Sequence, residues 1–123
     1  MIDFQNGVFK LARTKEITHL QTIEPMLVNG ETALCQYQAT RDYIIFTTHR
    51  IIAVNVQGLT GKKKDFSFLP YSKVQAFSIE TAGTFDVDSE LELYFSGLGK
   101  VKFEFKANSD IYTIGKMISD KIL

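Results

Sequence analysis

Apolar and polar residues alternate along most of this chain, which predicts short β-strands that each present one face to a core. The alternation is clearest at Leu91, Leu93 and Phe95. Five segments alternate in this way: residues 33–39, 64–69, 74–79, 91–95 and 101–105. Residues 43–48 and 50–56 are short apolar and β-branched runs, which also predict strands. Turn residues separate several of them: Gln57-Gly58, Thr60-Gly61, Pro70-Tyr71 and residues 97–99. Seven short strands at this spacing predict an antiparallel sandwich or barrel.

A helix is predicted at the C-terminal end, over residues 109–122. Its apolar residues form one stripe: Ile111, Ile114, Ile118 and Ile122. Three residues offer side-chain oxygens to its first free amides: Asn108, Ser109 and Asp110. Gly115 lies within this helix, where glycine costs about 1 kcal/mol relative to alanine. We therefore expect Gly115 to permit a close approach of the helix to the sheet.

A second helix is predicted near the N-terminus, over residues 8–24. Its apolar residues recur at three- or four-residue spacing: Phe9, Leu11, Ala12, Ile17, Leu20 and Ile23. Pro25 ends the pattern, and Asn29-Gly30 marks a turn. Because the apolar stripe is narrow, we expect this helix to pack against the barrel or against a neighbouring subunit.

These elements predict an α+β, mainly β fold in a single structural unit. A barrel of seven antiparallel strands is expected, with the C-terminal amphipathic helix closing one open end. We expect residues 1–29 to form an N-terminal helical extension and residues 30–123 to form the barrel domain.

Charge and cysteine content restrict the classes of function. The chain has 14 Lys and Arg residues and 14 Asp and Glu residues, so it exerts no overall attraction on nucleic acid or anionic membrane. Cys35 is the only cysteine, which excludes a disulfide framework. The N-terminal residues do not form a signal peptide, and no apolar run reaches the roughly 18 residues of a membrane span. We therefore expect a cytoplasmic protein without a nucleic-acid partner.

Several consecutive motifs make the sequence resemble a bacterial family of pleckstrin-homology-like (PH-like) domains. They are Gly30-Glu31, RDYIIFTTHRIIAV from Arg41, QGLTGKK from Gln57, LPYSKV from Leu69 and SIETAGTFDVDSELEL from Ser78. The resemblance extends from about Glu24 to Phe105, with the closing helix in register. It implies the PH-like barrel, an additional N-terminal helical segment and a tendency to form ring-like homo-oligomers. It leaves the ligand open.

Four basic residues form the candidate ligand or partner patch: Arg41, Lys62, Lys63 and Lys64. The lysines either meet phosphate or an acidic partner, or form a solvated turn between strands. PH domains that hold phosphoinositides use several basic residues around the first strand–strand loop. The corresponding residues 39–42 contain only Arg41 beside Asp42. Specific phosphoinositide binding is therefore not expected, and the Arg41-Asp42 pair is expected to stabilise a turn or contact a neighbouring subunit.

Patterns that bind nucleotides or metals are incomplete in this chain. Residues 61–63 lack the glycine spacing and the Ser or Thr of a phosphate-binding loop. Asp86, Asp88 and Glu90 alternate like the start of a calcium loop, but the sixth and twelfth positions are not Gly and Glu. His19 and His49 have no second ligand at metal-binding spacing. We expect no catalytic site, no metal and no cofactor.

The sequence thus predicts a non-enzymatic binding or scaffold module that self-assembles into a homo-oligomer. The small residues 81–84 either allow another chain to approach or form a simple turn. The alternative is a monomeric adaptor that binds a peptide or an acidic or lipid-headgroup ligand.

Overall fold

The structure is a computed structural model that describes residue 1, residues 8–107 and residues 109–123. Its strands are β1 (Val8–Arg13), β2 (Ala33–Gln38), β3 (Tyr43–Thr47), β4 (Arg50–Gln57), β5 (Lys63–Pro70), β6 (Val74–Glu80), β7 (Ser89–Phe95) and β8 (Gly99–Phe105). Its α-helices are α1 (Leu20–Ile23) and α2 (Ile111–Ile122), and single 3-10 turns span Glu24–Met26 and Tyr71–Lys73. The side chain of Phe9 and the proposed cap Asn108 lie outside the described residues.

The eight strands follow the order β5-β4-β3-β2-β1-β8-β7-β6. The seven predicted strands are confirmed as β2 to β8, and each pairs antiparallel with its neighbours in sequence within β2–β5 and within β6–β8. β1 joins these two groups, since it runs antiparallel to β2 and parallel to β8. The prediction of a purely antiparallel barrel of seven strands is therefore wrong in one respect. β1 is an eighth strand, and its pairing with β8 is parallel.

The predicted N-terminal helix is also wrong over most of its length. Residues 8–13 form β1, and the helix is limited to the four residues of α1. Leu11 is fully buried in β1, where it pairs with Phe105 of β8. Lys10 has a φ of 59°, and the pairing with β8 shifts between Val8 and Leu11. This irregularity interrupts the alternation of apolar and polar residues that is expected of a strand. The apolar residues of this region therefore recur at a spacing that resembles that of a helix.

Residues after β1 cover the outer face of the β2–β5 group. Ile23 of α1 is fully buried against Tyr43 and Ile45 of β3, and Ile52 and Val54 of β4 complete this outer cluster. Of the two alternatives for this segment, packing against the barrel is the one that Ile17 and Ile23 show. Leu20 is partly exposed.

The main core lies between the two strand groups and α2. Phe46, Phe103 and Phe105 are fully buried there. α2 begins at the N-cap Asp110, whose carboxylate accepts a hydrogen bond from the Thr113 amide at 3.2 Å. A Cβ added to Gly115 would lie 3.2 Å from Cδ1 of Ile79 in β6, which confirms the predicted close approach.

Candidate functional site

Arg41 and Asp42 stabilise two neighbouring turns, which is one of the two roles expected from the sequence. Arg41 lies in the β2–β3 turn, and its guanidinium donates a hydrogen bond to the carbonyl oxygen of Gly58 in the β4–β5 turn. The Asp42 carboxylate accepts hydrogen bonds from the Val56 amide at 2.9 Å and from the Asn55 side chain at 3.1 Å. Both turns lie at the same end of the β2–β5 group, and these contacts hold them together.

The three candidate lysines lie beside the same turns. Lys64 donates a hydrogen bond from Nζ to the carbonyl oxygen of Gly61 at 3.1 Å. Lys62 and Lys63 are exposed, and within the described ranges neither has an acidic partner. The structure therefore brings Arg41 and the three lysines to one end of the barrel. Two of these four residues, Arg41 and Lys64, already donate hydrogen bonds to backbone carbonyl oxygens. Their role in binding a ligand stays a prediction.

A cleft at the opposite end of the β2–β5 group was not predicted from the sequence. It has a volume of about 420 Å³ and is lined in part by His49, Pro70 and Lys121. Arg50 at the start of β4 and Glu31 ahead of β2 form a bidentate ion pair in its wall, with N–O distances of 2.8 and 2.9 Å. The sequence shows that Glu31 and Arg50 are charged. It does not show that they form an ion pair, because their proximity depends on the register between β2, β3 and β4.

Further hydrogen bonds fix this ion pair. The Thr47 hydroxyl donates to Glu31 at 2.6 Å, and the Val28 amide donates to Glu31 at 3.1 Å. The Arg50 guanidinium also donates to the Met26 carbonyl oxygen at 2.8 Å and lies 4.7 Å from the ring centroid of Phe68. The network therefore ties the N-terminal segment to the β3–β4 hairpin, and both carboxylate oxygens of Glu31 accept hydrogen bonds.

The environment of Glu31 keeps its carboxylate ionised. Burial by itself would raise the pKa of Glu31. Hydrogen bonds from Arg50, Thr47 and the Val28 amide, together with the Arg50 charge, outweigh burial and hold the pKa below its ordinary value. A permanently paired carboxylate is a structural element, because it is not available as a general acid or base near neutral pH.

The two histidines and the acidic residues do not form a metal centre in the described part of the chain. The His19 ring stacks on Tyr43 with ring centroids 3.9 Å apart, and its Nε2 lies 3.1 Å from the Gln38 side-chain oxygen. His49 Nδ1 lies 2.7 Å from the Thr48 hydroxyl. Both imidazoles therefore have local structural partners.

A third notable surface surrounds the β6–β7 loop, which spans residues 81–88. Phe85 is 99% exposed, and Val87 and Tyr112 of α2 are at least half exposed. A cavity of about 340 Å³ separates this loop from the first turn of α2. Exposed aromatic residues of this kind mark contact surfaces more often than sites of chemistry.

The observed topology is that of a PH-like barrel, with strands closed at one end by a C-terminal helix. A model of the bacterial PH domain family matches residues 4–122. This chain belongs to the bacterial PH domain family. The PH domain is 40% identical over 119 residues to the uncharacterized protein YjqA of Bacillus subtilis strain 168, covering 94% of this chain and 95% of YjqA. It is 32% identical over 113 residues to the uncharacterized protein YozO of the same strain, covering 92% and 95%.

Solved structures with the same fold include relatives from two species of Shewanella. A DUF1696 family protein with a pleckstrin-homology domain from Shewanella loihica PV-4 matches this PH domain with a TM-score of 0.81 and 35% identity, covering 93% of this chain and 98% of that one. A pleckstrin homology domain from Shewanella amazonensis SB2B matches with a TM-score of 0.67 and 32% identity, covering 100% of this chain and 90% of that one. Neither helix of this PH domain, within the described ranges, has the length and apolar character to cross a bilayer.

Proposed function

We propose that this PH domain is a non-enzymatic scaffold module that assembles with copies of itself into a closed homo-oligomer. Proteins of PH-like fold are generally binding modules without catalytic activity, which supports the first part of the proposal. The absence of a net charge supports the second part, because identical copies do not repel one another.

The observation that carries self-assembly is the pair of open strand edges. β5 and β6 end the strand order, so each has a neighbouring strand on one side only among the described residues. β5 is eight residues long and carries Phe68, which is 38% exposed. An unpaired edge of this length presents free backbone donors and acceptors to another chain. Ile23 of the N-terminal segment gives no support, since it is fully buried against the chain's own sheet.

The proposed absence of catalysis follows from the state of the reactive side chains. Cys35 is buried, and burial raises the pKa of its thiol, so little of the nucleophilic thiolate forms at neutral pH. The buried carboxylate of Glu31 is paired with Arg50. We expect no cofactor, and we place the protein in the cytoplasm, where a single unpaired thiol stays reduced.

A monomeric adaptor remains the alternative function. The exposed Lys62 and Lys63 beside Leu59 support it, because an acidic peptide or a lipid headgroup would meet two available ammonium groups there. Two flexible lysines supply attraction without the fixed geometry that selects one headgroup.

The molar mass in solution separates the two functions. We expect light scattering coupled to gel filtration to give a whole-number multiple of 13.9 kDa at micromolar concentration. A closed assembly keeps the same multiple as the concentration rises, whereas an open filament continues to grow. A mass of 13.9 kDa up to near-millimolar concentration would contradict self-assembly and favour the adaptor.

A further inference from the structure

The net charge of zero conceals two oppositely charged surfaces in different halves of the barrel. The basic tip consists of Leu59 in the β4–β5 turn and the surrounding cations Arg41, Lys62 and Lys63. The acidic surface consists of the loop residues Phe85, Asp86, Val87 and Asp88, together with Glu104 of β8 and Tyr112 of α2. We propose that the basic tip of one copy docks on the acidic surface of the next copy. This inference rests on the proposed self-assembly.

The backbone conformation of the basic tip is fixed by its glycines and by hydrogen bonds. Leu59 is fully exposed to solvent between Gly58 and Gly61, which have φ angles of 75° and 69°. These left-handed conformations favour glycine and define a tight turn. The hydrogen bonds from Arg41 to Gly58 and from Lys64 to Gly61 fix the same turn from both sides. A fixed loop loses little conformational entropy when it docks.

The acidic surface combines exposed aromatic rings with an open cavity. The rings of Phe85 and Tyr112 are 99% and 71% exposed. The cavity of about 340 Å³ between the β6–β7 loop and α2 is lined by Val87 and by Ser89. The Ser89 hydroxyl is buried and has no hydrogen-bond partner among the described residues. The exposed rings beside this cavity give another molecule an apolar surface to contact.

Carboxylates of like charge crowd this surface. Burial raises the pKa of Glu104, and the nearby charges of Asp88 and Glu90 raise it further. Glu90 has a cation partner in Lys102 at 3.0 Å. Asp86 and Asp88 have none in the described ranges. Cations from another molecule would relieve this repulsion.

A second copy of this chain supplies the matching partner. The basic tip offers a large apolar side chain surrounded by cations, and the acidic surface offers aromatic rings surrounded by carboxylates. No ion pair joins the two surfaces within the described part of one chain. A contact between two different surfaces is head-to-tail, and repeated head-to-tail contacts close into a ring when the rotation permits.

Charge reversal of each surface tests the contact. We expect Lys62→Glu/Lys63→Glu and, separately, Asp86→Lys/Asp88→Lys to lose the assembled mass of the full-length protein. In each variant both surfaces have the same sign, so the concentration for half-dissociation should rise by at least about tenfold. The matched controls Lys15→Glu/Lys73→Glu and Glu16→Lys/Asp120→Lys make the same charge changes at exposed positions elsewhere and should retain the wild-type mass.

Mixing the two charge-reversed variants gives the decisive result. The basic surfaces of one variant then face the acidic surfaces of the other, so an equimolar mixture should recover an assembled mass that neither variant reaches alone. Circular dichroism melts of each variant establish that it is folded before mixing. If the wild type assembles but the variants keep its mass, or if the folded variants stay monomeric after mixing, the copies meet elsewhere and this inference is overturned. A monomeric wild type contradicts the proposed function itself.

Discussion

Glu31 and Arg50 differ from the other described ion pairs because their side chains are less exposed to solvent. The Glu31 side chain is inaccessible to solvent, whereas the side chains of Glu92 and Lys100 are partly exposed and their charged atoms lie 3.7 Å apart. Exposed pairs contribute about 0–1 kcal/mol, but removing one partner from a buried pair leaves an uncompensated charge.

The substitution Glu31→Gln should therefore lower the free energy of unfolding by about 3 kcal/mol at neutral pH, because Arg50 keeps its charge without a counter-ion. Urea denaturation followed by circular dichroism measures this change. The control Glu92→Gln should cost no more than about 1 kcal/mol. Equal losses in the two variants would show that the Glu31–Arg50 pair has no special energetic role.

The same substitution should also remove part of the acid sensitivity. The pKa of Glu31 in the folded protein is below its ordinary value of 4.5, so the ion pair stabilises the fold above that pH. This stabilisation disappears as the pH falls through the lowered folded-state pKa. The difference in unfolding free energy between the wild type and Glu31→Gln should consequently shrink below about pH 4.5. A difference that stays constant from neutral to strongly acidic pH would contradict this assignment.

At the scale of elements, β1 is the strand that holds the two groups of strands together. Its fully buried Leu11 reaches the same core as Phe103 and Phe105 of β8. The substitution Leu11→Ala should destabilise the protein by about 2–5 kcal/mol, since it leaves a cavity in that core. The control Leu20→Ala removes a partly exposed leucine of α1 and should cost much less. Thermal and urea unfolding compare the two, and similar small losses would show that β1 is peripheral.

Local patterns were sufficient to predict β2 to β8, because each pairs mainly with a strand adjacent in sequence. Alternation identified most of them, and apolar β-branched runs identified β3 and β4. β1 could not be predicted in this way, since its pairing with β8 is remote in sequence and Lys10 interrupts its alternation. Of the candidate basic residues, Arg41 and Lys62 lie in turns, whereas Lys63 and Lys64 begin β5. The hydrogen bonds of Arg41 and Lys64 to backbone carbonyls required the three-dimensional arrangement. The Glu31–Arg50 pair was missed for the same reason.

At the scale of the whole molecule, the β2–β5 group is covered on both faces. The N-terminal segment covers the outer residues Tyr43, Ile45, Ile52 and Val54, while α2 and the other strand group cover the inner face. Deleting residues 1–24 should therefore expose an apolar sheet face and cause unfolding or aggregation. Circular dichroism and light scattering of the truncated protein check this outcome. A folded, soluble monomer would instead mean that the segment serves only to bridge subunits.

The parallel pairing of β1 with β8 also has a consequence for how the chain is made. Among the described strands, β1 leaves the ribosome first and its neighbour β8 leaves last. The β2–β5 hairpins can pair while translation continues, because their contacts are local. β1 can pair with β2 early, but its pairing with β8 must wait until all the other described strands are synthesised. This last pairing joins the two strand groups and completes the fold.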